Sequence, residues 1–155
     1  MTKVDVTQRF EQLRNSRKHK LHRINGAMKI QLEDFFEETG EILSSFLIEE
    51  WMLNPGDVLH GGILATAFDI SLGFHTLVLE REKTIVTTNM QVQFLKQVPL
   101  NAKLMIKSKV VRNGRTLVHL YAEAFIDDEK EVAATATASF MKLVESKTSE
   151  SKMKV

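Results

Sequence analysis

The rhythm of apolar and polar positions changes three times along this chain. Over the first 43 residues it is charged and loosely amphipathic. Val6, Phe10 and Leu13 recur at helical spacing, and "LEDFFEETGEILSS" (32–45) reads as a second short helix broken at Gly40. "SFLIEEWM" (45–52) has strand-forming character, and Pro55-Gly56 marks a loop. From Gly61 to about Leu79 the pattern differs in kind. Ile63, Leu64, Ala67, Phe68, Ile70, Leu72, Phe74, Leu77 and Val78 occupy nearly every side, which describes a buried helix, roughly 27 Å long. One stripe of it is small or polar: Gly62, Thr66, Asp69, Gly73 and Thr76 follow at steps of three or four. Such a stripe suits a ligand or the close approach of another element. Asp69 stands out, because an unpaired charge in a buried helix costs several kcal/mol.

Beyond this helix the period shortens to that of strands. "TIVTTNMQVQFLKQV" (84–98), "AKLMIKSKVV" (102–111), "RTLVHLYAEAFI" (115–126) and "EVAATATASFMKLV" (131–144) are the four stretches. Asn113-Gly114 between the second and third is a hairpin signal for a type I′ turn, and "DDEK" supplies the next turn. The alanines and threonines of the last stretch suit a strand packed closely on a helix. Strand, long helix, then an antiparallel meander of four strands gives an α+β fold, a curved sheet wrapped around one central helix. Its exposed edges and half-covered helix predict edge-to-edge pairing of two copies. The expected organisation is a helical extension over 1–43, the sheet-and-helix domain over 44–145, and a polar, disordered tail over 146–155.

Composition narrows the chemistry. The 155 residues are 43% hydrophobic and 26% charged, with net charge +1. That suits one globular domain and lacks a global field for nucleic acid or anionic membranes. The basic run "RNSRKHKLHR" (14–23) is local and reads as a solvated face. There is no cysteine, so thiol nucleophiles, disulfides and thiolate metal sites are absent together. No run of about 18 apolar residues predicts a membrane span, and the N-terminus lacks a signal-peptide pattern. The expected location is cytoplasmic. His19 and His22 stand at i, i+3 without companion ligands, so no metal site is expected. Phosphate-loop and nucleophile-elbow motifs are missing. The nine Phe, one Trp and one Tyr are not interleaved with basic residues as in single-strand binders.

The segment entering the long helix is more specific. Asn54, His60, Gly61, Gly62 and Asp69 form N-x5-H-G-G-x6-D within "NPGDVLHGGILATAFD". With "VTTNMQVQFLKQV" and "VVRNGRTLVHL", it resembles the hotdog-fold acyl-CoA thioesterases of the phenylacetate-degradation (PaaI-like) type, over about residues 45–144. Two departures stand out. Asp57 replaces the family's glycine three residues before the His, and Lys96-Gln97 replaces an Arg-Pro pair after the strand phenylalanine. The resemblance implies a hotdog fold, hydrolysis of an acyl-CoA to free acid and coenzyme A, and no metal or redox cofactor. Coenzyme A enters only as part of the substrate. It also implies a site shared between subunits of a homodimer, itself expected to pair into a homotetramer.

The residues suit that chemistry. A thioester carbonyl needs an attacking group and donors for its oxyanion. Helix-start N–H groups are unsatisfied, and glycines there admit a carbonyl to the backbone. Gly61 and Gly62 fit that role. Asp69 lies nine residues beyond His60, about 13 Å along the axis. That is too far to act at its own helix start but suits a second copy's. Asp69 is therefore the candidate general base or nucleophile. His60 is the loop-orienting residue, with direct catalysis the alternative. From the resemblance, Asn54 positions water or thioester and Thr87 faces the Asp from the next strand. Gly62, Thr66 and Gly73 line the candidate binding stripe, and Lys96, Arg112 and Arg115 are candidates for the coenzyme A phosphates. Two rivals remain: a non-enzymatic acyl-CoA-binding module, and a hotdog dehydratase, whose His-Phe-Pro-Gly phrase is absent.

Overall fold

Thr2 and Asp5 start the chain's first helix, α1 (Lys3–Asn15), with a capping box. The Thr2 hydroxyl accepts from the Asp5 N–H at 3.2 Å, and the Asp5 carboxylate accepts from the Thr2 N–H at 3.0 Å. The computed structural model describes residues 1–16, 22–81, 84–128 and 130–143. The centre of the basic run, His19 and the C-terminal tail lie outside them. Val6, Phe10 and Leu13 bury one face of α1, as their spacing predicts, and the Phe10 ring sits 4.8 Å from that of Phe74. A short α2 (Ile24–Met28) leads into the sheet.

The helix expected over 32–45 is instead a hairpin, β1 (Gln31–Phe36) and β2 (Glu41–Leu47). The sheet therefore starts well before residue 44. Gly40 makes the turn at φ +71°, and its N–H and that of Thr39 both donate to the Phe36 carbonyl. Ile42, Ser44 and Phe46 are buried in alternation, but Ser45 is buried as well. Two buried serines conceal a period-2 pattern from hydropathy. Ser44 is satisfied by Ser71 of the central helix, oxygen to oxygen 2.9 Å. The strand expected to reach Met52 stops at Leu47, and Glu50–Met52 forms a 3-10 turn.

The central helix α3 runs from Gly61 to Leu79, where its pattern predicts it. By length and hydropathy alone it qualifies as a membrane span. Here its apolar sides are taken up by the sheet and by α1. The remaining strands are β3 (Thr84–Phe94), β4 (Lys103–Asn113), β5 (Leu117–Ile126) and β6 (Val132–Leu143). All pairs are antiparallel in the order β1-β2-β4-β5-β6-β3. Ala134, Ala136 and Ala138 line the concave face of β6, where small side chains let α3 lie close.

Two details correct the expected meander. Consecutive strands β3 and β4 are not neighbours: β3 pairs with β6, and β4 crosses to β2. The connection cannot be a tight turn because it is pinned beneath the start of α3, where the Leu59 N–H donates to the Val98 carbonyl at 2.8 Å. The β4–β5 hairpin exists, but Asn113 and Gly114 have no positive φ, so no type I′ turn forms. Asn113 still pairs with Val118 as a strand residue, leaving 114–116 as the loop.

Candidate functional site

Hydrogen bonds and one left-handed residue within 54–62 shape the start of α3. The Asn54 side-chain oxygen accepts from the N–H of Gly56 at 2.8 Å and of Val58 at 3.4 Å. That oxygen is bound into its own loop. Asp57 takes φ +58°, the left-handed conformation a glycine would supply, so its substitution preserves the loop. His60 is the N-cap. Its Nδ1 accepts from the Gly62 N–H at 2.9 Å, and its own N–H donates to the Met52 carbonyl. The loop-orienting reading of His60 is what this geometry supports.

His60 takes up the Gly62 N–H, which leaves Gly61 as the helix-start donor. The Gly61 N–H has no partner among the described residues. Beside it lies a cavity of about 320 Å³, lined by Asn54, Val58, Leu59, Gly61, Leu64 and the Phe94–Val98 segment. The exposed Phe94 ring stands over Gly61, 3.4 Å from where a Cβ would be. Sequence reading missed Phe94; only its place at the end of an edge strand hints at it. Lys96 also borders the cavity and pairs with Glu131 at 3.2 Å.

Asp69 is half-buried on α3, and the Thr87 hydroxyl of β3 donates to its Oδ1 at 2.7 Å. The Asp–Thr juxtaposition expected from the resemblance is therefore present. A register shift between Thr87 and Asn89 marks a bulge beside it, which re-aims the strand locally. Described residues leave Oδ2 of Asp69 without a hydrogen bond. Eight residues of unbroken helix separate Asp69 from Gly61, about 12 Å. One protomer thus does not bring them together.

The candidate binding stripe divides. Gly62 is exposed and Thr66 half-buried, with its hydroxyl donating back to the Gly62 carbonyl at 2.9 Å. Gly73 packs toward the Phe140 ring, 3.7 Å from its missing Cβ, and Thr76 is fully buried. Positions 73 and 76 therefore serve helix–sheet packing. Arg112 and Arg115 are exposed near the C-terminus of α3, since neighbouring Asn113 donates to Glu80. Within a protomer they lie at the opposite end of the helix from Lys96.

An antiparallel sheet wrapped around one helix, with an open carboxylate on that helix and a glycine start beside a cavity, is the architecture of a hotdog enzyme. The chain belongs to the Thioesterase superfamily, whose family model matches residues 56–133. A protein of Saccharolobus solfataricus named as an esterase is 30% identical over 103 residues, 66% of this chain and 72% of that one. The bovine acyl-coenzyme A thioesterase THEM4 is 34% identical over 95 residues, 61% of this chain but 38% of its own length. Among solved structures, the E. coli PaaI protein from the phenylacetic acid degradation operon aligns with a TM-score of 0.75 at 14% identity. That alignment covers 93% of this chain and 97% of that one, a likeness of fold.

Proposed function

We propose that this thioesterase hydrolyses an acyl-CoA in a site shared by two copies of the chain. Asp69 of one copy is the general base or nucleophile, and the Gly61 N–H of the other polarises the carbonyl. As base, Asp69 takes a proton from water as the water oxygen adds to the carbonyl carbon. As nucleophile, it adds directly and water then cleaves the mixed anhydride. In both routes the tetrahedral oxyanion rests on the helix N-terminus, and coenzyme A thiolate leaves. Thr87 holds one carboxylate oxygen and leaves the other for the reaction.

The observation that carries this reading is the Asp69–Thr87 pair on the open side of a core helix, beside an unpaired strand edge. β3 is an edge strand of 11 residues with Val86 and Phe94 exposed. Edge-to-edge pairing of two copies covers it and brings the two α3 helices side by side. The acyl-CoA assignment is supported by the name of the bovine relative and by the family.

A panel of acyl-CoA substrates with a colorimetric thiol readout tests the activity. Asp69→Ala should lower kcat by about 10²–10⁴-fold while leaving the thermal transition in place. Unchanged turnover in that variant removes Asp69 from the mechanism. Tight binding of acyl-CoA with no hydrolysis by any panel member points instead to a binding module.

A further inference from the structure

Away from the cavity, two charged side chains are buried together at the C-terminal end of α3. Lys142 of β6 is 7% exposed and Glu80, the C-cap of α3, 11%. The Lys142 Nζ donates to the Asn113 side-chain oxygen at 2.6 Å and to the Gly114 carbonyl at 2.8 Å, and meets Glu80 Oε1 at 2.8 Å. Asn113 closes the triangle by donating its amide N–H to Glu80 at 3.0 Å. The Lys142 backbone N–H also donates to the Thr116 carbonyl. Burying such a pair carries a desolvation cost that hydrophobic residues would avoid, so its fit here lies in fixing geometry. What it fixes is the 114–116 loop, with Arg112 and Arg115 exposed on either side. Neither arginine has an ion pair among the described residues.

We infer that Lys142 is a positioning residue. It clamps the β4–β5 loop so that Arg112 and Arg115 of one copy meet the phosphates of a coenzyme A thioester bound at the other copy's Gly61. This rests on the shared site proposed above. If Asp69 of each copy faces Gly61 of the other, the two α3 helices run antiparallel. Glu80 lies 11 residues beyond Asp69, so it projects about 16 Å past the other helix's start. The pantetheine arm, about 13 bonds from sulfur to the first phosphorus, spans roughly the same 16 Å when extended. The loop therefore stands where the phosphates end. Arginine, with its paired planar donors, suits them.

The test compares the best acyl-CoA of the panel with the N-acetylcysteamine thioester of the same acid, which lacks the phosphates. Lys142→Met should raise KM for the acyl-CoA about tenfold with little change in kcat. Both constants for the N-acetylcysteamine thioester should stay as in the wild type. Lys142→Arg should restore part of the KM, and Asn113→Ala should reproduce the split if Lys142→Met fails to fold. Equal losses on both substrates, or an unmoved KM for acyl-CoA, overturn the positioning role. A wild-type protein that favours the two substrates equally overturns the phosphate subsite while leaving thioester hydrolysis standing. A wild-type protein that cleaves neither defeats the thioesterase reading itself.

Discussion

At the scale of single residues, the start of α3 separates two glycines that look equivalent in sequence. Gly62 gives its N–H to His60, and a Cβ there would meet the imidazole at 3.1 Å. The Gly61 N–H has no partner among the described residues, and Gly61 occupies the first helical position, where proline is tolerated. His60 before it has φ −64° and ψ 132°, the extended conformation that a following proline requires. Gly61→Pro therefore deletes one N–H without breaking a hydrogen bond among the described residues. Its added Cβ meets the Phe94 ring at 3.4 Å, a contact that Gly61→Ala makes while keeping the N–H and so controls for. For Gly61→Pro we expect a thermal transition close to wild type and a kcat lowered about 10²–10³-fold. Full activity in that variant would move the oxyanion site elsewhere. His60→Asn should keep the cap and most of the activity, whereas His60→Ala should cost about 1 kcal/mol of stability, read by urea denaturation. An inactive but stable His60→Asn would return His60 to direct catalysis.

At the scale of elements, α3 serves two masters, and its sheet-facing side has its own polar layer. His75 is fully buried with Nδ1 2.8 Å from Ser108 Oγ, while Nε2 has no hydrogen-bond partner among the described residues. Burial lowers its pKa from 6.5 to about 4, against a weaker upward pull from the Gly40 backbone. Above pH 6.5 neither the folded nor the unfolded chain holds this proton. Between 6.5 and 4 only the unfolded chain binds it, so stability falls as pH drops through that window, by about 3 kcal/mol in all. His75→Leu should flatten this part of the pH profile of the urea midpoint, whatever it does to the midpoint itself; an unchanged slope would mean that another group titrates there. The same layer explains what the sequence concealed. The helix was legible because its apolar run is long, β5 because its burial alternates regularly, and β3, β4 and β6 because they are strand-forming runs set off by loop and turn residues. The β1–β2 hairpin was not, since Ser44 and Ser45 are buried and the Ser44 hydroxyl finds its partners, Ser71 and the Ile106 carbonyl, on distant elements. Likewise the Asp–Thr pair was legible through a motif, while Phe94 over Gly61 and the Lys142 clamp arise from elements that meet only in the folded chain.

At the scale of the whole molecule, a single protomer holds both groups of the proposed site and keeps them apart. About 12 Å of helix separates the carboxylate from the helix-start N–H, and α3 is continuous through that interval. In the proposed two-fold pairing each Asp69 meets the Gly61 of its neighbour, which makes the two defects separable. Asp69→Asn and Gly61→Pro protomers should each be nearly inactive as homodimers. Mixed in equal amounts through unfolding and refolding, half of the dimers are hybrids, and each hybrid carries one site with both defects and one with neither. Activity should then recover to about a quarter of wild type, an outcome that follows from isologous symmetry. If both groups acted within one protomer, every site in the mixture would still carry a defect and no activity would return. Purified tandem-tagged hybrids should show the same recovery at one intact site per dimer, about half the wild-type rate. Absence of recovery, with hybrids demonstrated by the two tags, would place the base and the oxyanion donor on the same chain and send the search for the second group back into the cavity beside Phe94.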